Sequence, residues 1–147
     1  MKRNKFVTPP IMFLIGCVGY GLLEVIWRGE THPSMLLAGG ISFCSLAVIS
    51  KRMKDMHFLY KCIIGSVAIT AIELIFGCIF NIWLRMNVWD YSYIPLNFDG
   101  QICFLYSVIW AILCTGAIPF SEILYNKLKV SLSQTQKPEY ISKIKLT

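Results

Sequence analysis

Glu73 is the residue best placed to do chemistry, because it is the one charged side chain in the apolar run 62–84. It lies about 11 residues inside the end of that run, roughly 17 Å deep on a helix. Near a bilayer centre a carboxylate costs on the order of 2.5–3.5 kcal/mol even on lenient insertion scales. Glu73 must therefore be protonated or paired. Ser66, Thr70, Glu73, Gly77 and Asn81 recur at helical intervals and form one polar-and-small face. That face could line a cavity or proton relay, with Glu73 as gate and Asn81 beside it, or it could be a polar seam between two helices. Ionisable groups inside a span mark functional sites by default, which favours the relay.

A second cluster follows the first apolar run. Glu24 and Arg28 stand at i and i+4, point the same way and can pair. Glu30 and His32 come next, and Arg85 closes the third run on the same side. Through Arg28 this cluster could hold an anionic headgroup or phosphate. The plainer alternative is a Glu–Arg pair that only anchors the helix end. His32 has no second ligand at metal-site spacing, so no metal site is expected.

Other chemistries are excluded by pattern. The six cysteines, Cys17, Cys44, Cys62, Cys78, Cys103 and Cys114, all fall in apolar segments with no C-x-x-C pair. Free thiols are expected, with neither a disulfide framework nor a zinc site. The sequence has no G-x-x-x-x-G-K-[ST] loop, no G-x-S-x-G elbow and no H-E-x-x-H pair. No catalytic residue or cofactor is assigned on these grounds, and any ATP coupling requires a separate ATPase partner.

The elements that must position these residues are transmembrane helices. Of the 147 residues, 56% are hydrophobic and 15% charged, where a soluble domain carries about 25% charged residues. Mean hydropathy is +0.60. Runs 6–23, 33–50 and 100–121 contain no charge at all, and 62–84 contains Glu73 alone. A span needs about 20 mostly apolar residues, so the expected fold is all-α, an integral membrane protein with four transmembrane helices. Residues 1–130 form that domain, and 131–147 a polar, Lys-rich, mobile cytoplasmic tail.

Basic residues set the orientation. Lys2, Arg3 and Lys5, then Lys51, Arg52, Lys54 and Lys61, then Lys127, Lys129, Lys137, Lys143 and Lys145 fall on one side, against Arg28 and Arg85 on the other. The positive-inside rule places both termini in the cytoplasm, in a multi-pass protein of the cell membrane. The net charge of +6 then reflects attraction to lipid headgroups, with no nucleic acid implied. The first run ends in Trp27-Arg28-Gly29-Glu30 without a small-x-small cleavage pattern, so it is expected to be retained.

Local signals refine the spans. The first helix is expected over 9–27, with Pro9 and Pro10 at its start. Gly39-Gly40 in the second, over 34–50, marks close helix packing. The third is expected over 58–84. The segment 85–100, rich in Trp89, Tyr91, Tyr93 and Phe98, belongs at the external membrane–water interface. The fourth helix starts near Gln101 and is expected to kink at Pro119.

Three stretches carry a family resemblance. Gly21-x-x-Glu24-x-x-x-Arg28-Gly29-x-Thr31-His32-x-Ser34-Met35 is followed by Gly39-Gly40. Trp89-Asp90-Tyr91-Ser92-x-x-Pro95-x-Asn97-x-x-Gly100-Gln101-Ile102-Cys103 then completes the pattern. Over residues 16–110 the chain resembles the Putative ABC-transporter type IV family of small bacterial membrane proteins. The resemblance implies a transporter component and directs attention to Glu24, Arg28, His32, Asp90, Asn97 and Gln101 as a shared external site.

The expected function is a transporter or permease component that binds a small or lipid-like solute through that external mouth, with Glu73 as a protonatable gate. Membrane lipids, the solute and a second copy of the chain are the expected partners, because four helices barely enclose a private cavity. Two alternatives stand. One is a membrane enzyme acting on a lipid or phosphate group, with Glu24 or His32 as base and Arg28 as anion clamp. The other is a non-catalytic scaffold or regulatory subunit.

Overall fold

The computed structural model describes the backbone of residues 4–144 and the side chains of residues 9–131. Four helices account for most of it: α1 (Asn4–Arg28), α2 (Pro33–Arg52), α3 (Phe58–Phe76) and α4 (Phe104–Ile144). A π-helical segment, Gly77–Trp83, continues α3. Four stretches are long and apolar enough to cross a membrane: Pro9–Arg28, Pro33–Arg52, Phe58–Trp83 and Phe104–Ser131. Large apolar side chains such as Ile26, Val67 and Ile112 are exposed on their outer faces. A membrane is the solvent that such faces require.

Small residues let the helices approach. A Cβ added at Gly39 would run into the Tyr20 side chain, and one at Gly16 would lie 2.6 Å from Phe43 Cβ. The Gly-Gly pair therefore marks the α1–α2 contact, as its composition suggested. Leu46 of α2, Cys62 of α3, and Cys114 and Ile118 of α4 form an apolar cluster at one level. Above it, α3 meets α4 along a hydrogen-bonded seam. The Ser66 hydroxyl donates to Ser107 O, and the Thr70 and Ser107 hydroxyls lie 3.0 Å apart. Each such bond between helices in lipid contributes about 0.6 kcal/mol on average.

The segment after the π-helix folds back over the bundle. A two-stranded antiparallel hairpin, β1 (Asn97–Phe98) and β2 (Ile102–Cys103), leads directly into α4. Trp89 and Tyr91 are 6% and 9% exposed, and they form a second core cluster with Met35 and Cys103. The expectation of a surface-lying aromatic loop is corrected for these two. Tyr93 and Phe98 remain exposed, as interface residues do.

Other boundaries differ in instructive ways. α1 begins at Asn4, so Pro9 and Pro10 lie within it rather than at its start. Helical assignment of α4 passes through Pro119 and continues to Ile144. The polar segment expected as a tail thus extends the helix as backbone through 144; its side chains lie outside the described residues. The side chains of Lys2, Arg3, Lys5, Lys137, Lys143 and Lys145, part of the charge-sidedness argument, lie outside them as well. All six cysteines are free.

Candidate functional site

The polar groups singled out in the sequence gather at the end of the bundle that carries the 28–33 turn and the folded-back loop. Glu24, on the last turns of α1, is 7% exposed. Its Oε1 accepts from Arg28 Nη1 at 3.0 Å and its Oε2 from the Thr31 hydroxyl at 2.6 Å. Arg28 also donates through Nη2 to Val88 O at 2.7 Å. The planar guanidinium thereby ties α1 to the loop. The i, i+4 pair is present, and it is built into the loop's anchorage.

Beside this pair opens a cavity of about 410 Å³ between α1, α4 and the loop. Its polar wall is Glu24, Arg28 and Asp90; Trp27, Tyr93 and Tyr106 supply much of the rest. Trp27 Nε1 donates to the Tyr106 hydroxyl at 3.2 Å, joining α1 to α4. Tyr106 stacks on Tyr91 with centroids 4.6 Å apart. Asp90 is exposed, and its Oδ1 accepts from the Ser92 hydroxyl and backbone N–H. Those two bonds hold its carboxyl below the usual carboxylate range.

Glu73 lies behind this cavity. The Tyr91 hydroxyl donates to Oε1 at 2.8 Å, and Trp110 Nε1 donates to Oε2 at 3.0 Å. Burial pushes the Tyr91 phenol above its ordinary value, so it stays protonated and able to donate. The free space at Glu73 is about 10 Å³, the lower limit for a single water. The acid therefore touches the mouth through Tyr91 and Trp110, which line it.

Asn81 occupies a third, fully buried node. Its Nδ2 donates to Trp89 O and Gln101 Oε1, both at 2.9 Å, and its Oδ1 accepts from Val88 N at 2.7 Å. Trp89 Nε1 donates to Gln101 O at 2.9 Å, and Gln101 Nε2 to Asp99 O at 2.9 Å. Gly77 makes this possible, since a Cβ there would sit 2.6 Å from Gln101 Oε1. The whole face Ser66, Thr70, Glu73, Gly77 and Asn81 is thus turned toward α4 and the loop, and its described polar groups are paired.

The expected site residues consequently divide. Glu24, Arg28 and Asp90 come together on the cavity wall. Gln101 is buried beneath it and locks the loop to the π-helix. Asn97 braces the hairpin, donating to Ile94 O at 2.7 Å and accepting from Gly100 N at 3.0 Å. His32 caps α2 through Nδ1, which accepts from Ser34 N, and its ring lies edge-on to Phe80. None of these three lines the cavity. Thr31, Tyr91 and Trp110 were not among the expected site residues, although the first two stand in the stretches that carry the family resemblance. Their signal was indirect: a buried acid needs donors, and Tyr and Trp are amphipathic donors that tolerate the membrane interface.

A family model described as "Putative ABC-transporter type IV" matches residues 1–144, and the chain belongs to that family. No curated protein and no solved structure matches it.

Proposed function

We propose, taking that family membership as the premise, that the chain is a permease component whose mouth, facing the outside of the cell membrane, binds a small or lipid-like solute. The observation that carries the reading is the 410 Å³ cavity walled by Glu24, Arg28 and Asp90 on one side and aromatic rings on the other. Sites of this size, mostly apolar with a few convergent polar groups, are the usual form of a ligand pocket. Glu73 serves as the latch beneath the floor, because its one carboxylate accepts from a donor on the loop and a donor on α4. Adding or removing its proton changes what Tyr91 and Trp110 can hold. Energy comes from a separate ATPase partner, and a second copy of the chain completes the enclosure that four helices leave open.

The enzymatic alternative loses support from the same geometry. Both oxygens of Glu24 accept hydrogen bonds, and Nδ1 of His32 is committed as a helix cap away from the cavity. Neither is poised as a base.

Tryptophan fluorescence of the purified protein, titrated with water-soluble glycerophosphoethanolamine, tests the mouth. Saturable binding is expected, and Arg28→Lys is expected to weaken it about tenfold, because the ammonium keeps the charge and loses the planar fork. Full affinity in Arg28→Lys at equal thermal stability reduces Arg28 to a helix-end anchor. Absence of saturable binding in the parent protein leaves the scaffold reading.

A further inference from the structure

A second and larger cavity, about 540 Å³, runs down the bundle from the mouth. Its walls are apolar, with Leu14, Val18 and Gly19 of α1 facing Leu113, Ala117 and Phe120 of α4. Tyr20, Leu23, Trp110 and Leu113 line both spaces, so the two adjoin along α1 and α4. The combined cleft is polar at one end and apolar along its length. From Glu24 to Leu14 it follows α1 for about 15 Å, the depth of one hydrocarbon leaflet.

We infer that this cleft is a site for one phospholipid with a primary-amine headgroup, its head in the mouth and an acyl chain in the groove between α1 and α4. The inference rests on the mouth being a ligand site. Adjacency and the polarity gradient select an amphiphile over a soluble solute, because a small polar ligand leaves the groove unused. Charge selects the headgroup. The mouth carries two acids, Glu24 and Asp90, and one base, Arg28. An anionic head without an ammonium faces excess negative charge, whereas a zwitterion matches both signs. Arg28 uses two of its five donors on Glu24 and Val88 O, leaving others for a phosphate. Asp90 is exposed, and Ser92 occupies Oδ1. An ammonium can reach this carboxylate with the faces of Trp27 and Tyr93 beside it. A primary amine adds N–H donors that a quaternary ammonium lacks.

The groove offers a clean variant. Gly19 lines the groove and a Cβ added there meets nothing within 4 Å, so Gly19→Leu is expected to project into the cleft, with an unchanged unfolding midpoint as the check that the fold is kept. The probe is quenching of tryptophan by phospholipids brominated in the acyl chain, on the full chain in detergent. Trp83→Phe removes the exposed indole that lines neither cavity and leaves Trp27, Trp89 and Trp110 to report. Brominated phosphatidylethanolamine is expected to quench saturably, about fivefold more tightly than phosphatidylglycerol of the same chains. Gly19→Leu is expected to abolish the saturable phase while glycerophosphoethanolamine still binds the mouth, and Asp90→Asn to erase the headgroup preference. Non-saturable, equal quenching by both lipids overturns the lipid site. If the soluble headgroup still binds, the mouth survives that result; if it does not bind either, both readings fall. Phosphatidylcholine binding as tightly as phosphatidylethanolamine overturns the primary-amine assignment.

Discussion

Glu73 shows how a residue can be conspicuous in sequence while its role depends on its neighbours. Its isolation in an apolar run was plain from the sequence, and so was the need for partners. The partners were not, because Tyr91 and Trp110 lie on a loop and a helix whose approach is a tertiary matter. Tyr91→Phe leaves Oε1 without its donor, which costs about 1–3 kcal/mol for a buried polar group. A lowered unfolding midpoint in detergent is expected. The same substitution in a Glu73→Leu background is expected to cost much less, and a double-mutant cycle measures the difference. Additive losses in that cycle mean that the hydrogen bond does not stabilise the floor. Asp90 behaves differently with pH. Its carboxyl, held low by Ser92, keeps its charge as pH falls to the ordinary carboxylate range, and protonates only as pH drops through its depressed value. Loss of amine binding between pH 7 and 5 therefore has its origin elsewhere in the mouth.

At the scale of elements, periodicity carried most of the information. The face Ser66, Thr70, Glu73, Gly77 and Asn81 was visible as helical spacing, and it is the face that α3 and its π-helical continuation present to α4 and the loop. Sequence spacing gave no hint of the π-helix, which begins at Gly77, where Gln101 and Trp89 pack too close for a Cβ. The hairpin Asn97–Cys103 was missed for a related reason. Its strands are two residues each, too short for an alternation pattern to register. Close packing through Gly39 is directly testable. Gly39→Ala drives a methyl into Tyr20 and is expected to lower the unfolding midpoint, consistent with an overpacking cost of about 1–3 kcal/mol. Gly116→Ala is the control, since a Cβ there meets nothing within 4 Å. Equal stability of the two variants removes Gly39 from the α1–α2 contact.

For the whole molecule, sidedness decides which compartment the mouth serves. In a cysteine-free background, single cysteines at Thr31 and Ser92 are expected to react with an impermeant maleimide added outside intact cells. A cysteine at Lys54 is expected to react only after permeabilisation. The reverse pattern turns the mouth to the cytoplasm and removes the external-solute reading. By itself the sequence determined four apolar spans and a charge bias between their ends, because hydrophobic transfer and charge act residue by residue and are additive along the chain. It also determined the Glu24–Arg28 pair, because i, i+4 neighbours meet on any helix. Only the tertiary structure decided which polar residues share a cavity. His32, Asn97 and Gln101 share polarity with Glu24, Arg28 and Asp90, yet they are drawn into capping and bracing the backbone, because a buried N–H or C=O without a partner is costly. Which side chain meets that demand depends on how the loop closes over the bundle, and that closure is set by contacts between residues far apart in the chain.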